Sequence, residues 1–171
     1  YDTRKTVPGW RLLDKNAVRC GGGFNHRIGL YDAILIKDNH LAAIQENGLS
    51  PADAVRRSRE FISKTFPSYR ADQMVIEIEV DSLNQLADVL PAGPDIVLLD
   101  NMSVDELRQA VALRGSTAPD VILEASGGIT LGNISQIARS GVDRISTGAP
   151  THTSAWLDIG LDWDALSFPN A

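Results

Sequence analysis

Short apolar runs alternate with longer mixed segments along most of the chain, starting near residue 33. Five of these runs are too short for helices and rich in β-branched residues, a pattern typical of buried strands. The five predicted strands are 33–36, 74–80, 96–99, 121–123 and 144–146. Each interval between consecutive strands is long enough for one helix, so the pattern predicts alternating strands and helices.

Helix signals fill these intervals. Ser50 precedes Pro51, which indicates an N-cap followed by proline at the first helical position. Ser103 and Glu106 have the spacing of a capping box. The four predicted helices run from Ser50 to about Thr65, from a cap near Asp81 or Ser82, from Ser103 to about Arg114, and from about Leu131 to Ser140. By contrast, the glycine-containing segment 15–30 shows neither the helical nor the strand pattern of apolar residues and is predicted to be an ordered loop.

Strands separated by helices are typical of right-handed crossovers and hence of a parallel sheet, which predicts an α/β protein. Two architectures remain, an open doubly wound sheet and a barrel. No Gly-x-Gly-x-x-Gly turn directly follows the first strand, which disfavours a dinucleotide-binding sheet. Every predicted strand ends in a polar or glycine-rich cluster, as expected where the loops after the strands build the active site of a barrel. The pattern favours the barrel. Loops are solvent-exposed and therefore polar in any fold, however, so polar residues after strands are also expected without an active site there.

The composition is that of an ordinary globular domain. A chain of 171 residues, 43% hydrophobic and 22% charged, is long enough for one well-packed core. No apolar run reaches the roughly 20 residues that a membrane helix needs, and no signal peptide is visible, so we expect no membrane partner and a cytoplasmic location. The single cysteine, Cys20, excludes an internal disulfide and fits that compartment. Because the chain opens at Tyr1 and not at a methionine, we expect a fragment of a longer protein.

Charge is unevenly distributed along the chain. The net charge of -6 argues against nucleic acid as a partner. Residues 1–40 nevertheless hold seven Lys/Arg against four Asp/Glu, a local charge of +3, whereas the remaining residues hold nine against eighteen. A basic segment in an acidic protein indicates a focused anion site, unless the imbalance is only that of a solvated surface.

The basic residues of that segment form the first candidate site. Arginine offers a rigid fork of donors that matches a carboxylate or phosphate, and lysine offers a mobile charge. Lys37 directly follows the first strand, so its ammonium is predicted at the barrel mouth. His26 and Arg27 lie in the glycine-containing loop, which favours anion contact over a neutral core histidine. Arg4 and Lys5 precede a Pro-Gly turn and would by themselves more often indicate a surface loop.

Two carboxylates, Glu79 and Asp100, end consecutive strands. Neighbouring strands lie about 5 Å apart, so these side chains are predicted to share one ligand, either Mg²⁺ carried in with substrate phosphates or a pair of ribose hydroxyls. Alternation along the strand puts Glu77 on the same face as Glu79, deeper in the barrel. A salt bridge with Lys37 is an alternative role for Glu77.

Glycine-rich turns follow the last two predicted strands, at 126–128 and 148–149. Glycines let backbone N–H groups approach a phosphate closely, and phosphate sites after the final strands recur in barrels. His152, just past Gly148, could donate to the same phosphate. Tight strand-to-helix turns would also require such glycines, so this signal is unspecific by itself.

Several motifs in a fixed order make the sequence recognisable. From Asp2 to about Trp163 the chain resembles the quinolinate phosphoribosyltransferase family. The motifs that carry the resemblance are Asp2–Thr6, Ala17–Gly23, Asn25–Arg27, Ile36–His40, Leu99–Asn101, Leu123–Gly128 and Leu157–Asp162. One position departs, because the family usually has leucine where this chain has Pro150, and proline removes a main-chain donor.

The resemblance implies an incomplete parallel β/α barrel of six strands, preceded in the family by an N-terminal α/β domain. Residues 1–171 would then be the C-terminal catalytic barrel domain. The N-terminal domain and nearly all of barrel strand one, whose last residues are around Asp2, would be absent. The resemblance also implies a homodimer or higher homo-oligomer, in which each active site borrows an arginine from the partner's N-terminal domain.

The reaction implied by the resemblance is phosphoribosyl transfer from phosphoribosyl pyrophosphate to quinolinate with decarboxylation, giving nicotinate mononucleotide for NAD synthesis, with Mg²⁺ as cofactor. Lys5, Lys37, Glu79 and Asp100 are its catalytic candidates. By resemblance, the acceptor carboxylates are held at Arg4, His26, Arg27 and Lys37, the donor lies near Lys5, the ribose hydroxyls and Mg²⁺ lie at Glu79 and Asp100, and the 5-phosphate lies at Ser126, Gly127, Gly148 and His152. Alternatives are a paralogue of the molybdenum-transport-associated type with another acceptor, a non-catalytic assembly subunit, and a generic phosphate-binding isomerase barrel.

Overall fold

The computed structural model describes residues 1–155 and 157–161. Asp162 and Trp163, with which the family-like stretch ends, lie outside the described residues. Within the described ranges the sheet has five strands, all parallel. They are β1 (Ile34–Ile36), β2 (Ile76–Val80), β3 (Ile96–Asp100), β4 (Ile122–Ser126) and β5 (Arg144–Ile145). All five predicted strands are therefore confirmed, with small differences at their ends.

The order of the strands in the sheet is the order in the chain, β1-β2-β3-β4-β5. A doubly wound sheet instead reverses its order and binds ligands at the reversal point. Sequential parallel strands are the arrangement of a β/α barrel. The predicted α/β fold of incomplete-barrel type is confirmed.

The first residues of the chain lie at the β5 edge of this sheet. The Thr147 N–H donates to the Tyr1 carbonyl at 3.0 Å, and the Asp2 N–H donates to the Phe24 carbonyl at 2.9 Å. Tyr1 thus lies next to the residues that follow β5, where the end of a further barrel strand would lie. This position brings the basic segment that follows Asp2 to the mouth of the barrel.

Except for the first, the helices come after strands in the chain, and three of them begin at predicted cap residues. They are α1 (Arg11–Cys20), α2 (Asp38–Gln45), α3 (Pro51–Thr65), α4 (Ser68–Ala71), α5 (Leu83–Val89), α6 (Val104–Thr117), α7 (Ile134–Ala138) and α8 (Ala149–His152), with a 3₁₀ turn over Leu90–Ala92. The hydroxyls of Ser50 and Ser103 each accept the backbone N–H three residues later, both at 3.3 Å. Ser82 caps α5 in the same way. The cap predictions are confirmed.

One prediction about helices was wrong, and a second differs from the structure in its bounds. Residues 15–20, predicted to belong to a loop, form part of α1, whose buried residue is Lys15 and not an apolar side chain. The leucines of α1, Leu12 and Leu13, are exposed, so this helix does not pack an apolar face on the core as an ordinary surface helix does. The helix predicted over 131–140 is shortened to α7 because the Thr130 N–H donates to Asn133 Oδ1 at 2.8 Å, which forms a turn before the helix begins.

The two faces of the sheet have opposite character, because successive side chains along a strand point to opposite sides. One face packs against the helices and is apolar. Its core comprises Ile76, Ile78, Val80, Val97, Leu99 and Leu123, packed with Val55, Ile62, Leu86, Val89 and Leu107. The other face carries the polar residues of β2, β3 and β4 and lines the barrel interior. Within the described residues, no helix combines the length and apolarity required to cross a bilayer.

Candidate functional site

One large cavity, of about 1360 Å³, opens at the carboxyl ends of the strands. All eleven residues that the sequence singles out as site candidates line it. These are Arg4, Lys5, His26, Arg27, Lys37, Glu79, Asp100, Ser126, Gly127, Gly148 and His152. The structure therefore brings the basic segment, the carboxylates and the glycine turns to one place, as the barrel interpretation requires. The role of each residue stays a prediction.

A buried ion pair fixes the basic loops. Lys15, which projects from α1, is only 3% exposed, and Asp2 is fully buried. The Lys15 ammonium donates to Asp2 Oδ1 at 2.7 Å and to the carbonyls of Thr3 and His26 at 3.1 and 2.9 Å. The Asp2 carboxylate also accepts the His26 N–H at 2.6 Å and the Asn25 amide at 2.8 Å. This pair holds the loop that carries Arg4 and Lys5 against the loop that carries His26 and Arg27.

A second buried cluster lies at the floor of the cavity. His26 Nε2 lies 3.1 Å from the Glu77 carboxylate and 3.4 Å from that of Glu124, and both carboxylates are almost fully buried. Both Glu124 oxygens lack an aligned hydrogen bond within the described residues. Arg144 Nη1 adds a contact of 3.7 Å to Glu124. Glu77 is indeed deeper than Glu79, as predicted.

The charge of His26 follows from these neighbours. Burial alone lowers the pKa of His26, but the carboxylates of Glu124 and Glu77 outweigh it and raise the pKa to about 9. The Arg27 N–H, which donates to His26 Nδ1 at 2.9 Å, favours the neutral ring instead. Two buried carboxylates within 3.4 Å are the larger influence, so we take the ring to be cationic at neutral pH.

The same charge arrangement acts on Glu124. Burial alone raises the pKa of Glu124, but the His26 cation, the Ser146 hydroxyl and Arg144 together lower it below its ordinary value. His26, Glu77 and Glu124 also place ligand atoms within 4.8 Å of one another, a spacing that can hold a metal ion. Because an imidazolium already supplies the cation that the two carboxylates need, we interpret the cluster as an ion triad.

The direction of the His26 ring bears on its predicted role. Nε2 faces the buried carboxylates and Nδ1 faces a backbone N–H. Direct contact of His26 with an acceptor carboxylate would require one of these interactions to open. Arg27 stays available at the cavity wall, with Nη1 donating to the Ala33 carbonyl at 3.3 Å. Burial, together with the nearby charge of Arg4, lowers the pKa of Arg27, but guanidinium titrates so far above neutrality that Arg27 remains a cation.

Lys37 pairs with Glu79, not with Glu77. Its ammonium donates to Glu79 Oε2 at 2.5 Å, and it is the N-cap residue of α2, directly after β1. The alternative of a Lys37–Glu77 salt bridge is therefore wrong, because Glu77 lies one pleat deeper and meets His26. The Lys37 side chain is still 41% exposed, so its charge can reach a ligand in the cavity.

Asp100 lies further towards the barrel mouth than Glu79. The register pairs Glu79 with Leu98 and Asp100 with Ser126, so the two carboxylates share a face but are offset by two residues. That offset puts their Cα atoms roughly 8 Å apart, farther than the strand spacing assumed from the sequence. Asp100 Oδ2 accepts the Asn101 amide at 2.7 Å. At this separation the two carboxylates can contact different parts of one ligand, or can share one small ion when water completes the contact.

Two glycine-containing turns, at 126–128 and 148–149, line the cavity after β4 and β5. Gly127 has φ +85°, and a Cβ at this position would overlap the Asn101 side chain, so the turn requires glycine. Within the described residues, the N–H groups of Gly127, Gly128 and Gly148 donate no hydrogen bond. The His152 ring lies against Gly148, where a Cβ would overlap it. These free donors suit the predicted phosphate.

Pro150 is accommodated without loss of a helical hydrogen bond. It occupies the first turn of α8, where backbone N–H groups have no intrahelical partner. The next residue, Thr151, is buried, and its hydroxyl donates to the Lys5 carbonyl at 2.6 Å. Thr151 thereby fastens the basic loop to the turn that carries Gly148.

Sequence reasoning assigned no role to several residues that build this site. Asp2 and Thr151 act through buried hydrogen bonds that no local pattern reveals, and Lys15 lies in a helix that was predicted as a loop. Glu124 could have been found, because it lies two residues before Ser126 and alternation puts both on the lumen face. Asn101 lay within a recognised motif but carried no predicted function.

The comparisons with known proteins converge on one family. Residues 1–162 match the family model described as quinolinate phosphoribosyl transferase, C-terminal domain. A curated relative, nicotinate-nucleotide pyrophosphorylase [carboxylating] of Mycobacterium leprae, is 48% identical over 94% of this chain and 52% of its own length. The human protein of the same name is 37% identical over 93% of this chain and 50% of its own length. The chain thus spans about half the length of the curated relatives it matches.

Solved structures give the same result. The nicotinate-nucleotide pyrophosphorylase from Francisella tularensis is 44% identical, with a TM-score of 0.76 over 92% of this chain and 50% of that chain. A crystal structure of a NadC deletion mutant is 40% identical, with a TM-score of 0.79 and the same coverage. Sequence and backbone are therefore similar to the same group of proteins.

Proposed function

The chain belongs to the quinolinate phosphoribosyltransferase family, in the part that forms its C-terminal domain, and we propose that it provides the catalytic barrel of an enzyme that transfers a phosphoribosyl group to quinolinate. The proposed donor is phosphoribosyl pyrophosphate. The proposed products are nicotinate mononucleotide, pyrophosphate and CO₂. This activity would supply a precursor of NAD.

The observation that carries the proposal is the division of the cavity into two chemically different walls. Arg4, Arg27 and Lys37 supply positive charge on one wall. Such a wall suits an acceptor with two carboxylates. Asp100 forms the other wall together with the free N–H of Gly127, which follows Ser126, the register partner of Asp100. This wall suits a ribose with its phosphate. One cavity can thus hold an anionic acceptor against a phosphoribosyl donor.

In the proposed reaction, the pyridine nitrogen of quinolinate attacks C1 of the ribose and the bond from C1 to the pyrophosphate oxygen breaks. The ring nitrogen becomes cationic, which allows the adjacent 2-carboxylate to leave as CO₂ while its bonding electrons return to the ring. A proton from solvent then occupies that carbon. No protein nucleophile is required, so the side chains act by positioning the reactants and by electrostatic stabilisation.

We propose Mg²⁺ as the cofactor, held by Asp100 and Glu79, in part through water. Mg²⁺ commonly takes one or two protein carboxylates and otherwise binds water and substrate phosphates, which fits two carboxylates offset along neighbouring strands. Bound there, the ion would neutralise charge on the departing pyrophosphate. Lys37, already paired with Glu79, would lie between this end of the cavity and the acceptor.

Resemblance also supports a homodimer or higher homo-oligomer in which a partner's N-terminal domain completes the acceptor site. A cytoplasmic location stays a prediction on the same basis. Residues 1–171 would form the barrel domain of each protomer.

The test is product formation by the native polypeptide that contains this chain. With quinolinate, phosphoribosyl pyrophosphate and Mg²⁺, we expect equal amounts of nicotinate mononucleotide, pyrophosphate and CO₂. Omission of quinolinate should abolish pyrophosphate release. Pyrophosphate release without CO₂ would instead indicate a paralogue with another acceptor, and would contradict the proposal.

A further inference from the structure

Asn101 connects the two halves of the donor site, and we propose that it is a positioning residue that fixes the Asp100 carboxylate relative to the Ser126-Gly127 turn. The inference rests on the proposed function. It deepens that function by assigning the spacing between the ribose and phosphate subsites to one side chain.

The backbone of Asn101 is held in an unfavourable conformation. Its φ is +55°, and it is the one non-glycine residue with positive φ in the part of the chain that the structure describes. Asparagine tolerates this region better than most residues, but the conformation still costs free energy. Such conformations cluster at functional sites, where the surrounding structure maintains them. Asn101 lines the cavity, directly after β3.

The side-chain amide of Asn101 orients Asp100. Asn101 Nδ2 donates to Asp100 Oδ2 at 2.7 Å. This bond leaves the other oxygen, Oδ1, without a hydrogen bond to the described residues. A hydrogen bond to an ionised carboxylate is stronger than one between neutral groups. The amide therefore holds the carboxylate in one rotamer, with one oxygen left for a ribose hydroxyl or a water on Mg²⁺.

The same residue contacts the neighbouring turn. The Asn101 N–H donates to the Ser126 carbonyl at 2.9 Å. The Asn101 side chain also fills the space into which a Cβ of Gly127 would project. Asn101 thus contacts both the residue predicted to hold the ribose and the turn predicted to hold the phosphate. Loss of its side chain should allow the ribose subsite at Asp100 to move relative to the phosphate subsite at the Ser126-Gly127 turn.

The test compares Asn101→Gly with the wild-type native polypeptide. Glycine accepts φ +55° without strain, so this variant removes the amide and keeps the backbone conformation. Kd values are measured by calorimetry for phosphoribosyl pyrophosphate with Mg²⁺ and, separately, for quinolinate. Asn47→Gly is the matched control, because the Asn47 side chain makes one exposed hydrogen bond, to the Ala43 carbonyl near the end of α2.

We expect Asn101→Gly to raise the Kd for the donor about fivefold to tenfold. The Kd for quinolinate and the Tm should stay near the wild-type values, and Asn47→Gly should change neither Kd. An unchanged donor Kd would overturn the inference. So would an equal rise of both Kd values, which would indicate a general structural role.

A second comparison uses the contact with Gly127. Gly127→Ala alone should weaken donor binding, because its Cβ collides with Asn101. In the Asn101→Gly background, Gly127→Ala should raise the Kd for the donor by a smaller factor than it does in the wild type. Strictly additive effects of the two substitutions on the free energy of donor binding would overturn the inference. Absence of donor binding by the wild type would count against the proposed function itself, so the two failures are distinguishable.

Discussion

Replacement of Lys15 by methionine tests whether the buried ion pair holds the two basic loops together. Methionine keeps most of the length and apolar stem of lysine but removes the ammonium. The substitution therefore leaves the Asp2 carboxylate buried without its cation, and leaves the carbonyls of Thr3 and His26 without a donor.

The magnitude follows from the burial of both partners. Removing one partner of a buried ion pair costs about 3–5 kcal/mol. Asp2 would retain the hydrogen bonds from the Asn25 amide and the His26 N–H, so we expect the lower end, about 3 kcal/mol. For a chain of this size each kcal/mol lowers the Tm by roughly 2–4 °C, so the predicted fall is roughly 6–12 °C.

The assay is urea unfolding of Lys15→Met beside the wild type, with the Tm as a second measurement. Lys64→Met is the matched control, because Lys64 pairs with Glu60 on an exposed helix surface and its loss should cost under about 0.5 kcal/mol. The KM for quinolinate should rise in Lys15→Met, since Arg4 and Arg27 lose their fixed separation. If Lys15→Met matched the stability of the control, the ion pair would not anchor these loops and the reasoning would be refuted.

Three further predictions concern charge and the extent of the chain. In the native polypeptide, Lys37→Ala should lose at least about 100-fold in kcat/KM for quinolinate while its circular dichroism stays unchanged, because Lys37 lies at the open end of β1; near-normal turnover, matching that of Lys64→Ala, would contradict the role. The His26 pKa of about 9 lies above its ordinary 6.5, so the stability it contributes should be complete below about pH 6.5 and lost as the pH rises through 9. Urea unfolding across this range should show the loss in the wild type and a flatter profile in His26→Gln, and equal profiles would refute the raised pKa. Residues 1–171 alone should bind phosphoribosyl pyrophosphate with Mg²⁺ in calorimetry yet form no product, because by resemblance a partner's N-terminal domain completes the acceptor site. Full catalytic activity of this chain would show that the partner's domain is dispensable.

Most of the fold could be predicted because its determinants are local. The strands are short apolar runs, and the caps at Ser50 and Ser103 depend on residues three positions apart. Alternation along β2 correctly placed Glu77 below Glu79. The exceptions include α1, which buries Lys15 while its leucines are exposed, and α7, which is shortened by the turn at Thr130. The helices α2, α4 and α8 were not predicted either.

The candidate site could be predicted as a set of residues but not as a set of contacts. Strand ends of a barrel converge, so residues after strands were expected together, and all eleven line one cavity. Which carboxylate each cation meets depends on register and depth, and for that reason the pairing of Lys37 with Glu79 was not resolved from the sequence. The offset between Glu79 and Asp100 likewise depends on register.

The choice of acceptor distinguishes the proposed enzyme from relatives that would use the same barrel. Quinolinate carries two carboxylates and nicotinate lacks the one at position 2. Without it, part of the cationic wall formed by Arg4, Arg27 and Lys37 would be left unpaired in the complex. A site built to pair a polar group rejects an analogue that lacks it by roughly 10⁴-fold.

The most direct test of the proposed function is therefore kcat/KM for quinolinate and for nicotinate, measured with the native polypeptide, phosphoribosyl pyrophosphate and Mg²⁺. Pyrophosphate release is followed for both acceptors under the same conditions. The proposed function predicts a preference for quinolinate of roughly 10⁴-fold. Comparable kcat/KM values for the two acceptors would contradict it.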